Sequence, residues 1–181
     1  MKKFIPLVFL LTSLLVPAVT QPQGAPNSDG SQNIFHDELL DHMVGAWHLS
    51  GSVMGETADH HVQVEWVLNH QFLRIHEKAS GPSKSGLVYE ALVMVGYDNA
   101  SERYVAHWID VFGGRFSETL GYGRRDANKI EFLFEYPDGP FRTTFRWAPE
   151  TKAWHWQMRQ KDKSGAWTDF ASFILNTERK Q

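Results

Sequence analysis

The amino-acid sequence predicts an all-β fold: about ten antiparallel strands in a meander that closes into a barrel, with one short helix ahead of the first strand. Three observations predict it. From Gly45 onward, short runs alternate apolar and polar residues, and Gly, Pro, Asn and Asp punctuate them every few positions. Helical periodicity is confined to a single early segment. Three hairpins can also be registered from their turns, and each gives one dry, largely aromatic face and one charged face.

Taken in order, Met1-Lys2-Lys3 supplies a positive start, and an apolar run from Phe4 to Val16 follows, interrupted only by Pro6, Thr12 and Ser13. This is the layout of a secretory signal peptide, assigned to 1–20, and the run is short for a membrane span. A Gln/Pro/Gly/Asn/Ser stretch makes 21–34 a flexible linker, and 35–181 the one folded domain, about the size of an ordinary single domain. The expected location is periplasmic or secreted. The chain has no cysteine and a formal net charge of −3, and it becomes more acidic when Lys2 and Lys3 leave with the signal. That excludes a disulfide framework, thiolate chemistry and a lipid-bearing cysteine, and it argues against nucleic acid or an anionic membrane as partner.

Phe35, Leu39, Leu40 and Met43 share one face of a helix over 35–43, with acids in its first turns. Strands are expected at 46–54, 61–68, 72–79, 87–97, 103–111, 115–123, 129–136, 141–147, 153–160 and 166–175. A turn at Asn69-His70 pairs Trp66 with Leu73 and Val64 with Ile75, and sets Glu65 against Arg74. Pro137-Asp-Gly-Pro140 is a strong turn signal. Pairing Tyr136 with Phe141 across it puts Phe134 opposite Thr143, Phe132 opposite Phe145 and Ile130 opposite Trp147, with Glu135–Arg142 and Glu131–Arg146 on the wet side. The next hairpin, through Ala148 to Lys152, pairs Trp147 with Trp154, Phe145 with Trp156 and Thr143 with Met158.

The run Gly45-x-Trp47-x-x-x-Gly51-x-x-x-Gly55 directly after a short helix resembles the first strand of calycins, where the tryptophan plugs the closed end of a barrel. Together with Trp66-Val-Leu68, Phe72-Leu73, Gly96-Tyr97-Asp98 and Trp108-Ile-Asp110, the chain is similar over 35–175 to a bacterial lipocalin-like family of uncharacterised function. It is more distantly similar to nitrobindins and fatty-acid-binding proteins. The resemblance implies a small antiparallel barrel with a cavity, and makes Trp47 the barrel-end plug. Nitrobindins hold haem through a histidine near the C-terminus, and the last strand here, 165–175, has none, so no cofactor is expected.

Candidate site residues follow from the inward faces. Trp66, Trp108 and Trp156 either fill the barrel or line a cavity, and a ten-stranded barrel is wider than the eight-stranded kind that side chains just fill. Thr143 lies on the same dry face. Pairing Tyr122 with Ile130 turns Glu118 inward between Phe116 and Leu120, whereas a one-residue shift in the loop 124–128 sends it to solvent. Asp110 shares a face with Trp108. An interior carboxylate without a cation partner suits a ligand hydrogen bond or a general base. The expected ligand set is therefore Trp66, Trp108, Asp110, Glu118, Thr143 and Trp156. The nine histidines show no metal-binding spacing: His60 and His61 are adjacent and face opposite ways, and His155 lies among Arg142, Arg146 and Arg159. His107 stands apart because its strand is apolar on both faces.

Three functions fit these features. One is a binding or carrier barrel for a small hydrophobic or amphipathic molecule. Another is a lyase or isomerase using Glu118, Asp110, Tyr104 and Tyr122. The third is a structural exported module that forms a homodimer through the doubly apolar strands 87–97 and 103–111.

Overall fold

The computed structural model describes residues 34–178. The segments expected to be a signal peptide and a linker, apart from Ile34, lie outside the described residues. The elements are α1 (Glu38–Asp41), β1 (Gly45–Val53), β2 (Glu56–Val67), β3 (Phe72–Ala79), β4 (Glu90–Asp98), β5 (Arg103–Asp110), α2 (Gly114–Ser117), β6 (Leu120–Asp126), β7 (Lys129–Tyr136), β8 (Gly139–Ala148), β9 (Ala153–Lys161) and β10 (Trp167–Thr177). Each strand pairs antiparallel with the next, and β1 also pairs with β10, from Trp47↔Thr177 to Val53↔Ala171, so the barrel is closed. Odd-numbered strands run away from α1 and even-numbered strands return to it.

Two of the three hairpins have the expected register. In β2–β3, Trp66 lies opposite Leu73, Val64 opposite Ile75 and Glu65 opposite Arg74. Their turn runs through Leu68, Asn69 and His70, all at positive φ. In β8–β9, Trp147 meets Trp154 and Phe145 meets Trp156. The β7–β8 hairpin differs by two residues, because Tyr136 pairs with Gly139 and leaves only Pro137-Asp138 in the turn. Gly139 takes φ +126 there, a left-handed value that tightens the turn past the point the prolines suggested. Phe132 consequently faces Thr143, and Ile130 faces Phe145. A shift of two preserves the faces but changes the partners: on the outside Arg142 meets Glu131, diagonally, at 3.4 Å, in place of Glu135.

The segment 115–123 departs further. Its first part is the one-turn α2, and β6 starts only at Leu120. The β6–β7 turn is Ala127-Asn128, which pairs Tyr122 with Leu133 rather than with Ile130. That odd shift reverses the strand, so Tyr122 faces outward, with the Arg103 guanidinium 3.7 Å over its ring. Gly121 and Gly123 face inward. The rings of Phe134 and Phe132 lie directly on them: a Cβ at Gly121 would stand 2.5 Å from Phe134 Cζ. The missing side chains on β6 are what lets two phenylalanines from β7 fold across it.

Inward positions build one continuous core: Leu49, Val62, Val64, Leu73, Ile75, Val93, Val95, Phe132, Phe145 and Leu175, all buried, with Trp154 and Trp156 among them. One end of this core is closed by α1. The Asp37 carboxylate caps the helix, accepting from the N–H groups of Leu39 at 2.9 Å and Leu40 at 3.0 Å. Its other oxygen accepts from the Tyr104 hydroxyl and from Arg125 at 3.4 Å. Three indoles from the barrel then hold the far side of the helix: Trp47 donates to Met43 O at 2.7 Å, Trp154 to His42 O at 3.2 Å, and Trp66 to Asp41 Oδ1 at 2.8 Å. Helix and barrel are thus joined by polar bonds as well as by Leu39, Leu40 and Met43.

Candidate functional site

The half of the interior away from α1 is built differently. Alternation continues into it, but two of its buried inward positions are a histidine and a glutamate. His60 follows Val62 inward along β2, and Glu77 follows Ile75 along β3. Both are buried, and His60 Nδ1 lies 2.5 Å from Glu77 Oε1. The His60 ring stacks against Tyr89 at 5.8 Å and tilts against Phe173 at 6.3 Å. Phe173 meets Trp156 at 5.8 Å, and Trp156 meets Trp108 at 5.6 Å and Phe145 at 4.7 Å. Trp108, Phe145, Trp156, Phe173 and Tyr89 thus form a run of aromatic contacts that ends on the buried His60–Glu77 pair.

Three atoms of this region, Glu77 Oε2, Thr143 Oγ1 and Trp156 Nε1, are buried and have no hydrogen-bond partner among the described residues. Leaving such a group unpaired costs roughly 1–3 kcal/mol. An acceptor, a donor and a hydroxyl that can serve as either are therefore available inside an otherwise apolar wall.

Toward the barrel end away from α1, Asp110 ends β5 at an inward position, half-buried, and accepts from the Phe112 N–H at 2.9 Å. Burial first, and then the charges of Glu77 and Asp110, push the Tyr89 phenol up. Burial, with the Asp110 charge adding to it, pushes the Tyr136 phenol up to about 12 from an ordinary 10.0. The folded state therefore holds these protons more tightly than the unfolded chain. For Tyr136 the corresponding stability is complete below pH about 10 and is lost as pH rises from about 10 to about 12. Tyrosinate absorbance and circular dichroism followed together should show late-titrating tyrosines that ionise as the barrel opens.

Of the residues singled out from the sequence, Trp108, Thr143 and Trp156 meet in this region, with Asp110 at its rim. Trp66 does not join them: it belongs to the helix end, edge-on to Phe35 at 5.5 Å and stacked on His70 at 4.1 Å. Trp47 sits at that same end. Glu118 is exposed at the C-cap of α2, because the residues expected to carry it inward on a strand form a helix instead. The quartet Glu118, Asp110, Tyr104 and Tyr122 is not assembled. Tyr104 bonds Asp37 at the helix end, and Tyr122 lies outside. His107 points outward and donates from Nε2 to Ser117 O at 2.7 Å. Arg142 and Arg159 lie on the outer face, Arg159 paired with Asp169 at 3.0 Å. Among the described residues no three His, Asp or Glu side chains gather as a metal-holding group.

His60, Glu77 and Tyr89 were not expected. The signal for the first two was present: parity carried on from Val64 and Ile75 turns both inward.

A closed ten-stranded antiparallel barrel with a short helix over one end, and a few polar groups in an aromatic interior, has the architecture of the broad calycin or lipocalin fold. The chain belongs to the family described as Protein of unknown function (DUF1579), which matches residues 35–175. No curated protein matches the chain.

Proposed function

We propose that this protein is an exported binding or carrier barrel that takes a small, largely apolar molecule into the half of its interior away from α1. The observation that carries the reading is the trio of buried, unpartnered polar atoms on Glu77, Thr143 and Trp156. Small-molecule sites combine apolar walls with a few such placed groups. Binding is favoured over a lyase or isomerase activity because the four residues that would have carried the chemistry are spread over both ends and the outside of the barrel. Export rests on the signal-like N-terminus. N-terminal sequencing of the mature protein should give a start near residue 19 or 21.

Thr143→Val is the informative variant. It keeps the shape of the side chain and removes a hydroxyl that has no partner, so the ligand-free barrel should hold or gain stability, by up to about 1 kcal/mol. Its affinity for an environment-sensitive apolar dye should nonetheless fall. In delipidated protein the dye should bind at one molecule per barrel and quench tryptophan fluorescence, with Trp156→Phe weakening it and the exterior change Arg159→Ala leaving it unchanged. Absence of saturable binding, or binding that follows only the exterior change, would sink the proposal.

A second reading, assembly as a homodimer, is favoured by one observation. Leu92 and Ile109 face each other on the outside of β4–β5 and are 38% and 42% exposed, with Leu120 and Tyr122 nearby on β6. Light scattering of the purified protein tests it: a monomer mass at micromolar concentration removes it.

A further inference from the structure

The same interior has a chemical preference, and the inference rests on the binding reading above. We infer that the ligand carries a protonated amine on an aromatic frame, so that this barrel selects aromatic cations and rejects carboxylates. Two carboxylates, Glu77 and Asp110, stand at inward positions in the half away from α1, and His60 is the one basic group among them. That lining therefore carries two acidic side chains to one basic one.

No arginine or lysine offsets it from within. The buried polar and charged side chains of the described residues are Asp37, His60, Glu77 and Thr143. The inward-reaching Arg125 belongs to the opposite end, where it meets Asp37. At the end away from α1, Arg115 is exposed and held by both oxygens of Asp138 at 2.9 Å. An anionic ligand would enter an interior whose fixed charge repels it and which offers no buried cation to receive it.

A cation finds the complementary features. Glu77 is tied through Oε1 to His60, which leaves Oε2 as a buried acceptor without a partner. An ammonium group supplies donors to it, in a charge-assisted hydrogen bond. Tyr89 and Phe173 contact His60, Trp156 and Trp108 continue the aromatic wall beyond Phe173, and aromatic faces attract cations. The direction in which the Tyr89 phenol moves is consistent with the same local excess of negative charge.

Three probes of one shape separate the possibilities: 1-naphthylmethylamine, naphthalene-1-acetate and 1-naphthalenemethanol, titrated calorimetrically into delipidated full-length protein at neutral pH. The amine should bind at least about tenfold more tightly than the acetate, with the neutral alcohol between them. Glu77→Gln should remove most of that preference while leaving the alcohol's affinity within about threefold, and Asp110→Asn should reduce the preference by a smaller factor. Asp110→Asn changes a half-exposed rim residue, so it reports even if Glu77→Gln fails to fold. Equal or tighter binding of the acetate, or an amine preference unchanged in the variants that fold, would overturn the inference and leave interior binding standing. Failure of all three probes to bind would overturn the binding reading, and this inference with it.

Discussion

Phe132→Ala is expected to cost about 3–5 kcal/mol in urea unfolding, the range for emptying a large aromatic site in a packed core. Phe132 is 1% exposed and touches more than its neighbours' side chains: its ring lies across the backbone of Gly123 on the next strand. Alanine there uncovers a stretch of β6 that has no side chain of its own with which to fill the space. The matching exterior change, Arg146→Ala, should cost no more than about 1 kcal/mol, because Arg146 is a solvated side chain on the outer face. The reverse ranking would mean that the faces of β7 and β8 are exchanged.

Asp37→Ala should be nearly as damaging, at about 2–4 kcal/mol. One small residue caps α1, receives the buried Tyr104 hydroxyl and meets Arg125. Its loss removes the helix cap and leaves a phenol buried without its acceptor. Asp37→Asn, which retains an oxygen for the Leu39 and Leu40 N–H groups but loses the charge that Arg125 faces, should give a smaller loss. The two variants together divide the cap from the ion pair, with chemical denaturation as the measurement. Equal stability of Asp37→Ala and the parent chain would mean that α1 contributes nothing to closing the barrel.

The fold was legible because alternation and turn chemistry are local signals. Hairpin register from Asn69-His70 and from Ala148 to Lys152 needed nothing beyond the turn and the apolar parity of the flanking strands. Pro137-Asp-Gly-Pro140 marked its turn correctly, but the register depended on Gly139 adopting a left-handed φ, and proline-rich composition alone does not specify that. The segment 115–123 reads as a strand only if every apolar residue in it is taken as inward. In fact Leu120 and Tyr122 are partly exposed, and it is the glycines between them that face the core. Glycine carries no hydrophobic signal, so its inward position is visible only once the rings of Phe132 and Phe134 are seen lying on it.

The inward aromatic part of the candidate site was legible and its polar part hidden, for a related reason. Hairpin parity turned Thr143 and Trp156 inward, and both are buried, as is Trp108. His60 and Glu77 obey the same parity, yet a charged residue in a strand is ordinarily assigned to the wet face, and each stands beside residues that do face water. Glu77 alternates with His76 and Lys78, which reach Glu90 on the outside. Extending the β2–β3 register by two and four pairs beyond Val64↔Ile75 would have turned Glu77 and His60 inward against the hydrophobicity rule. Where a register and a residue's polarity disagree, the register is the stronger guide to function.

The seam between β1 and β10 has a consequence for biosynthesis. A closed barrel has no unpaired edge, but this one acquires that property only when its last strand arrives. Until residues 167–177 are available, the outer rims of β1 and β9 present open rows of N–H and C=O groups, and strand edges of that kind template aggregation. Contacts spanning nearly the whole domain, such as Trp47↔Thr177, also form slowly because a long loop must close first. A chain stopped short of β10 is thus left with two adhesive edges, and any factor that guards the nascent protein must keep hold of it until the final strand is in place.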